Sequence, residues 1–259
     1  VVIECGGKDP LVVAADADVD AAVEGALWGG FTNAGQTCVG VERVYAVAAV
    51  YDEFVGKLAA RARALRPGAG EDASYGPMTV PAQADIVRRQ VDDALARGAK
   101  DLLGGDDTSR PPYLAPRILT RVPADAPAET EETFGPVLTV ARVADLDEAV
   151  ARANAGRYGL GATVYSRRHG EAIARRMRAG MVSVNSVIAF VAVPALPFGG
   201  VGDSGFGRVH GADGLREFAR PQAISRERVT SPLPVLTFRR AEHAVDRLVA
   251  AVRAAYGRR

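Results

Sequence analysis

The sequence predicts an α/β fold, an open and mostly parallel sheet flanked by helices. Apolar β-branched runs such as Val137 to Val143 alternate along the chain with segments whose apolar residues recur every three or four positions. Gly, Pro, Asn and Asp punctuate the junctions between them. The 259 residues are 48% hydrophobic, enough to bury a large core.

The chain starts on Val1-Val2-Ile3-Glu4, a strand pattern with no Met and no cap before it, as if cut mid-strand, so an upstream segment is expected. Carboxylates at Asp16, Asp18 and Asp20 suit a helix start, and Val23, Ala26, Leu27 and Phe31 then fall on one face, which predicts a helix from about 18 to 32. Asn33 to Cys38 breaks that period, and Glu42 to Val47 alternates as a strand. Helical periodicity returns over Val50 to Leu65 and, after Pro67 to Gly70, over Pro81 to Gly98. Beyond the strand Val137 to Val143, the pattern predicts a helix over Leu146 to Asn154 and a strand over Ala162 to Ser166. A helix over His169 to Ala179 and a strand over Met181 to Asn185 follow. Pro194 to Gly214 carries seven glycines and reads as an extended functional loop, and Arg240 to Tyr256 is an amphipathic last helix.

Composition narrows the functions available. Thirty-two Lys and Arg against 31 Asp and Glu leave no global field for nucleic acid, so recognition must be local. Two cysteines make no disulfide framework, and His169, His210 and His243 are too scattered for a metal centre, so no metal and a cytoplasmic location are expected. The longest apolar run, Val187 to Leu196, falls short of the roughly 18 residues of a membrane span.

Cys38 follows Gly35 at a break in the pattern, where backbone N–H groups can favour a thiolate; taken alone it reads equally as a small buried hydrophobe. Glu4 ends an apolar strand before Gly6-Gly7 and can face a cleft as a general base, or simply make a surface ion pair.

Read together, the segments say more. Glu4-Cys5-Gly6-Gly7-Lys8, Gly35-Gln36-Thr37-Cys38, Glu132-Thr133-Phe134-Gly135-Pro136 and Pro197-Phe198-Gly199-Gly200 occur in one order, and Cys38 lies 34 residues after Glu4. From Val1 to about Arg228 the chain resembles the aldehyde dehydrogenase superfamily, its catalytic and C-terminal part with most of the cofactor domain absent. The resemblance implies residues 1–8 as the end of the cofactor domain carrying the base, 9–221 as the catalytic domain and 222–238 as an oligomerisation arm, with 239–259 as an amphipathic tail helix. It implies oxidation of an aldehyde to the acid with NAD or NADP. Cys38 would form a thiohemiacetal and then a thioester, and Glu4 would activate the hydrolytic water. Glu132 would bind the nicotinamide ribose, Phe134 would pack by the nicotinamide, and Glu131 would be a solvated neighbour. The family's oxyanion asparagine and dinucleotide-binding turn would precede Val1, so these residues by themselves are expected to show little or no dehydrogenase activity. Asn33 is expected to shape the loop before Cys38, and Asn185 to end its strand.

In the family the loop before Pro-Phe-Gly-Gly influences substrate choice, and here Ser186 to Leu196 carries no charge. A carboxylate left unpaired there costs several kcal/mol, so an uncharged aliphatic or aromatic aldehyde is expected, with Phe190 and Phe198 as pocket walls. The alternative for Val187, Ile188 and Val191 is that they are core. Cys5 is expected to be a small buried residue, and Lys8 to have a structural or cofactor-side role. The tail helix is expected to pack on the catalytic domain rather than touch a membrane, and the arm implies a homo-oligomer, a dimer or tetramer. Competing readings are a CoA-acylating or semialdehyde dehydrogenase, and a noncatalytic truncated chain acting as an assembly partner.

Overall fold

In a computed structural model of the chain, residues 1–104, 111–228, 237–238 and 242–257 are described. They divide into two units, Val1–Ala219 and Arg220–Arg259. The first opens with β1 (Ile3–Glu4), β2 (Asp9–Val13) and α1 (Val19–Phe31). Asp18 caps α1 by accepting from Ala21 N at 3.1 Å, and Val19, Ala22, Val23, Ala26 and Phe31 are buried along it. β3 (Val41–Val47) runs into α2 (Ala48–Ala62), and α3 (Pro81–Ala96) begins on a proline, which has no N–H to leave unpaired. β4 (Lys100–Asp101), β5 (Arg117–Thr120), the one-turn α4 (Pro127–Thr130) and β6 (Val137–Val143) come next.

α5 (Leu146–Asn154) is capped twice. Asp145 accepts from Glu148 N at 2.9 Å, and the Glu148 carboxylate reaches back to Ala144 N at 2.7 Å. Asp145→Ala is therefore expected to cost about 1 kcal/mol, read as a thermal midpoint lower by about 3 °C. β7 (Gly161–Tyr165), α6 (Gly170–Ala174), β8 (Met181–Val184), β9 (Gly205–Phe206) and α7 (Gly211–Glu217) complete the unit.

Seven strands form one sheet in the order β4-β5-β6-β3-β2-β7-β8, parallel throughout except for the antiparallel edge strand β4. Side chains alternate between its two faces. Val44 and Ala46 enter the larger apolar cluster with α1, α2 and α3, whereas Tyr45 and Val47 join α5 and α6 on the other side. Both faces are covered, which is why these strands read as nearly continuous apolar runs. β1 stands apart, paired antiparallel with β9 through Ile3↔Phe206 and Glu4↔Gly205.

The architecture agrees with the expected α/β sheet flanked by helices, and the differences are local. β2 and β5 and the two short elements β4 and α4 escape the pattern, being five residues or fewer. The helix expected over His169 to Ala179 ends at Ala174 because Asn154 clamps the following segment. Its Nδ2 donates to Arg176 O and its Oδ1 accepts from Arg178 N, which holds that backbone in turns. The glycine-rich loop expected to run to Gly214 gives way to α7 at Gly211.

In the second unit, α8 (Ala244–Tyr256) forms where helical periodicity predicts it, while Val245, Leu248, Val249, Val252 and Tyr256 are all exposed. The first three residues of the expected tail helix, 239–241, and its last two, 258–259, lie outside the described residues, as do 229–236 of the expected arm; residues 222–228 have no helix or strand. No helix among the described residues is long and apolar enough to cross a membrane.

Candidate active site

Because the central strands are parallel, the segments that enter them meet at one edge of the sheet. Gly6 to Lys8 lead into β2, Cys38 to Gly40 into β3, Glu132 to Pro136 into β6, and Gly159 and Leu160 into β7. Residues far apart in sequence thus converge at the amino ends of neighbouring strands.

The loop carrying Cys38 owes its shape to three successive left-handed residues, Asn33 (φ 52°), Ala34 (φ 58°) and Gly35 (φ 72°). Asn33 Nδ2 donates to Gln36 O at 3.0 Å and Gln36 Nε2 returns a bond to Asn33 O at 2.9 Å, so Asn33 does shape this loop. Gln36 also accepts from Thr79 N at 2.9 Å and donates to Pro77 O at 3.2 Å, tying the loop to the segment before α3. A Cβ on Gly35 would overlap the Gly135 carbonyl. Gly35→Ala is accordingly expected to displace the Cys38 loop at a cost of about 1 to 3 kcal/mol or more, seen as a lower melting temperature and an altered Cys38 alkylation rate.

A buried ionic cluster holds the loop of Glu132. Lys8 Nζ lies 2.6 Å from Glu42 Oε2 and 2.8 Å from Thr133 Oγ1, and Glu42 accepts from Thr133 N and Phe134 N at 2.9 Å each. Both side chains of the pair are almost fully buried. Gln90 adds a bond to Glu132 O at 3.2 Å and accepts from Thr133 Oγ1 at 2.8 Å. Lys8 thus has a structural place. Glu42 and Gln90 were not singled out from the sequence. The available signal was the consecutive pair Glu42-Arg43 inside a β-branched strand, since charges in a strand buried on both faces need partners.

Cys38 is half-buried, and the charge of Glu4 acts on its thiol. Burial, with the negative charge of Glu4 second, pushes the thiol up to about 11, against a lowering by the Val39 N–H. Glu4 is exposed and accepts from Gly6 N at 2.5 Å. Glu132 accepts from Gly7 N at 3.0 Å, and burial raises its carboxyl above the ordinary range, with Glu42 and Glu4 adding to the effect. Gly6 is in a left-handed conformation (φ 80°) that favours glycine, and a Cβ there would also push the Glu132 carboxylate aside. Glu131, as expected, is exposed.

The expected aromatic residues are placed around this centre. Phe134, in a left-handed conformation (φ 47°), lines with Glu132, Gln83, Ile86 and Gln90 a cavity of about 410 Å³. Phe190 is buried with Val39, Leu160 and Met181, and Cys38, Ile188 and Phe198 pack against that cluster. Phe190 is therefore part of the buried cluster on which Cys38 packs. Asn185 ends β8 and brackets Ser166, accepting from its N–H and donating to its carbonyl. Cys5 corrects the expectation of burial. Its N–H donates to Ser204 O at 3.1 Å, but the two-residue strand beside it is exposed and so is its side chain. Among the described residues no group of three or more His, Cys, Asp or Glu side chains is placed to hold a metal ion.

The profile of the aldehyde dehydrogenase family matches residues 1–224. The chain belongs to this family. It is 41% identical over 230 residues to succinate-semialdehyde dehydrogenase [NADP(+)] 1 of Mycobacterium tuberculosis, covering 86% of this chain and 50% of that protein. The structure superposes on an NAD-dependent aldehyde dehydrogenase from Sinorhizobium meliloti with a TM-score of 0.80 and 38% identity, covering 85% of this chain and 44% of that one. Betaine aldehyde dehydrogenase from Staphylococcus aureus, solved with NAD+, gives 0.79 and 31%, covering 84% and 44%. The chain thus spans about half the length of the family members it matches.

Proposed function

We propose that this chain supplies the nucleophile, the base and part of the cofactor site of an NAD(P)+-dependent dehydrogenase that oxidises an aldehyde to its carboxylic acid. The observation that carries the reading is the convergence of the Glu4–Lys8, Cys38 and Glu132–Phe134 segments at the amino ends of neighbouring strands, where the charge of Glu4 acts on both the Cys38 thiol and the Glu132 carboxyl.

A thiol near 11 is protonated at neutral pH, so attack requires that its proton leave as the carbon–sulfur bond forms, and Glu4, the carboxylate whose charge acts on the thiol, is the base assigned to take it. The thiolate of Cys38 adds to the carbonyl carbon and gives a tetrahedral alkoxide, a far better hydride donor than the aldehyde. The dinucleotide, when bound, supplies the two-electron acceptor that leaves a thioester on Cys38. Once Glu4 has released the thiol's proton to solvent, it takes a proton from water as the water attacks that thioester and returns it to the departing thiolate, so the acid leaves, the thiol is restored and one proton in all passes to solvent. The residues present fit the dinucleotide. The Glu132 carboxylate is an acceptor suited to ribose hydroxyls, and Phe134 offers an apolar face to a planar ring in the same cavity.

The apolar cluster of Val39, Leu160, Met181, Phe190 and Phe198 packed on Cys38 supports an uncharged aliphatic or aromatic aldehyde. A second reading, a semialdehyde, is favoured by the name of the M. tuberculosis relative. The intact protein, assayed by reduced-dinucleotide formation with hexanal, benzaldehyde and succinate semialdehyde, distinguishes them. Highest kcat/KM with hexanal or benzaldehyde is expected, and preference for succinate semialdehyde overturns the apolar choice. Activity with none of the three overturns the dehydrogenase reading in favour of an assembly partner. A strict requirement for CoA replaces hydrolysis by acyl transfer. The same protein is expected to be a homo-oligomer, checked by light scattering.

A further inference from the structure

Asp9 opens β2 and is only 3% exposed. Its Oδ1 accepts from Gly161 N at 3.0 Å, while Oδ2 is buried and has no hydrogen-bond partner among the described residues. Two glycines enclose the carboxyl. A Cβ on Gly7 would lie 2.6 Å from Oδ1 and 2.8 Å from the Cys38 carbonyl oxygen, and a Cβ on Gly161 would overlap Oδ2 and touch the Phe190 ring. Asp9 therefore sits between the turn that follows Glu4 and the first residue of β7, against the backbone of the nucleophile.

The charged groups around it do not bond to it. Glu42 and Arg43 face it from β3, Glu132 from the loop before β6, and Cys38 from the loop before β3. Arg43 directs its N–H groups to Lys8 O, Tyr45 OH and Ala153 O, and Lys8 is committed to Glu42 and Thr133. An ionised Asp9 leaves a buried charged oxygen without a donor, a costly arrangement. In the protonated acid Oδ1 remains the acceptor for Gly161 and Oδ2 carries the hydrogen. Burial accordingly pushes this carboxyl up to about 8, with Glu42 and Glu132 adding to the rise and the Gly161 N–H and Arg43 opposing it.

We infer that Asp9 is a positioning residue that works as a neutral acid: its uncharged carboxyl fills the dry space between Gly7, the start of β7 and the Cys38 backbone while holding Gly161 N, and its ionisation hinders formation of the Cys38 thiolate. The inference rests on the proposed role of Cys38 only for its meaning in turnover. Its test reads the thiol directly, so absence of dehydrogenase activity leaves the test intact.

The experiment measures the pH dependence of Cys38 alkylation by iodoacetamide in the full chain carrying Cys5→Ser, with Cys38→Ala as the blank, and compares Asp9→Asn with Asp9→Ala. Asparagine keeps the acceptor for Gly161 and cannot ionise. In Asp9→Asn the thiol is expected to titrate about half a unit lower, which is about threefold faster alkylation at pH 9. Thermal midpoints give a second readout. Because the folded Asp9 holds its proton up to about pH 8 while the unfolded one releases it near 4, its contribution to stability falls as pH rises between those values. The midpoint of Asp9→Asn relative to the parent is therefore expected to rise from pH 5 to pH 9, whereas Asp9→Ala is lower at both. An alkylation profile of Asp9→Asn superimposable on the parent, or a midpoint difference that does not change with pH, overturns the inference and leaves Asp9 as packing alone.

Discussion

Cys38→Ala is expected to lower kcat of the proposed dehydrogenase by about 10⁴-fold or more, since in that proposal loss of the covalent nucleophile removes the whole two-step route. The companion variant Glu4→Gln separates the two groups through opposite signs. The charge of Glu4 is one of the causes that hold the Cys38 thiol near 11, so its removal lowers the thiol pKa and speeds alkylation by iodoacetamide at pH 8. It also removes the acceptor for the protons of the thiol and of water, so turnover is expected to fall by about 10² to 10⁴. In the parent chain alkylation should rise with pH up to the thiol pKa of about 11, because only the thiolate reacts, and less steeply through pH 8 where Asp9 ionises. Rapid-quench mass spectrometry supplies the remaining observable, an acyl adduct on Cys38 that accumulates in Glu4→Gln. A Glu4→Gln enzyme slowed in turnover but with neither faster alkylation nor an adduct would show that Glu4 acts at neither step.

Glu42→Gln is expected to give the largest loss of stability among the site residues. The substitution leaves the Lys8 ammonium buried without its counter-charge, and breaking a buried pair from one side costs about 3 to 5 kcal/mol. For a chain of this size that corresponds to a melting temperature lower by about 10 °C. Glu42 has a second function, because its carboxylate accepts from the N–H groups of Thr133 and Phe134 and so hangs the Glu132 loop on β3. KM for the dinucleotide is therefore expected to rise more than kcat falls. Lys8→Met in the Glu42→Gln background should recover much of the stability, since no uncompensated charge remains and the glutamine oxygen can still accept from the loop. If the double variant is no more stable than Glu42→Gln, the cost lies in the loop contacts rather than in the unpaired lysine. Unchanged dinucleotide KM in a folded Glu42→Gln enzyme would separate the Glu132 loop from cofactor binding.

Periodicity by itself determined the helices α1, α2, α3, α5 and α8 and the strands β3, β6, β7 and β8 to within a few residues, because the spacing of apolar residues is a local property, set whether or not the face it makes is covered. The four ordered motifs likewise pointed to Cys38, Glu4, Glu132 and Phe134, since a nucleophile, a base and a close backbone approach demand particular side chains or glycine whatever surrounds them. Burial of Cys5 was misjudged because strand patterning says nothing of whether an edge is covered. The truncation of α6 at Ala174 was invisible for a related reason, since the clamp comes from Asn154 on another element. Only the tertiary structure decided that Lys8 and Glu42 neutralise one another, that Gln36 and Gln90 hold the two loops, and that Asp9 is enclosed with one unpaired oxygen. Local sequence encodes propensity and reactive groups. The charge state and orientation of those groups depend on which strands are neighbours, and in a parallel sheet neighbours such as β2 and β7 are brought together from residues 152 positions apart.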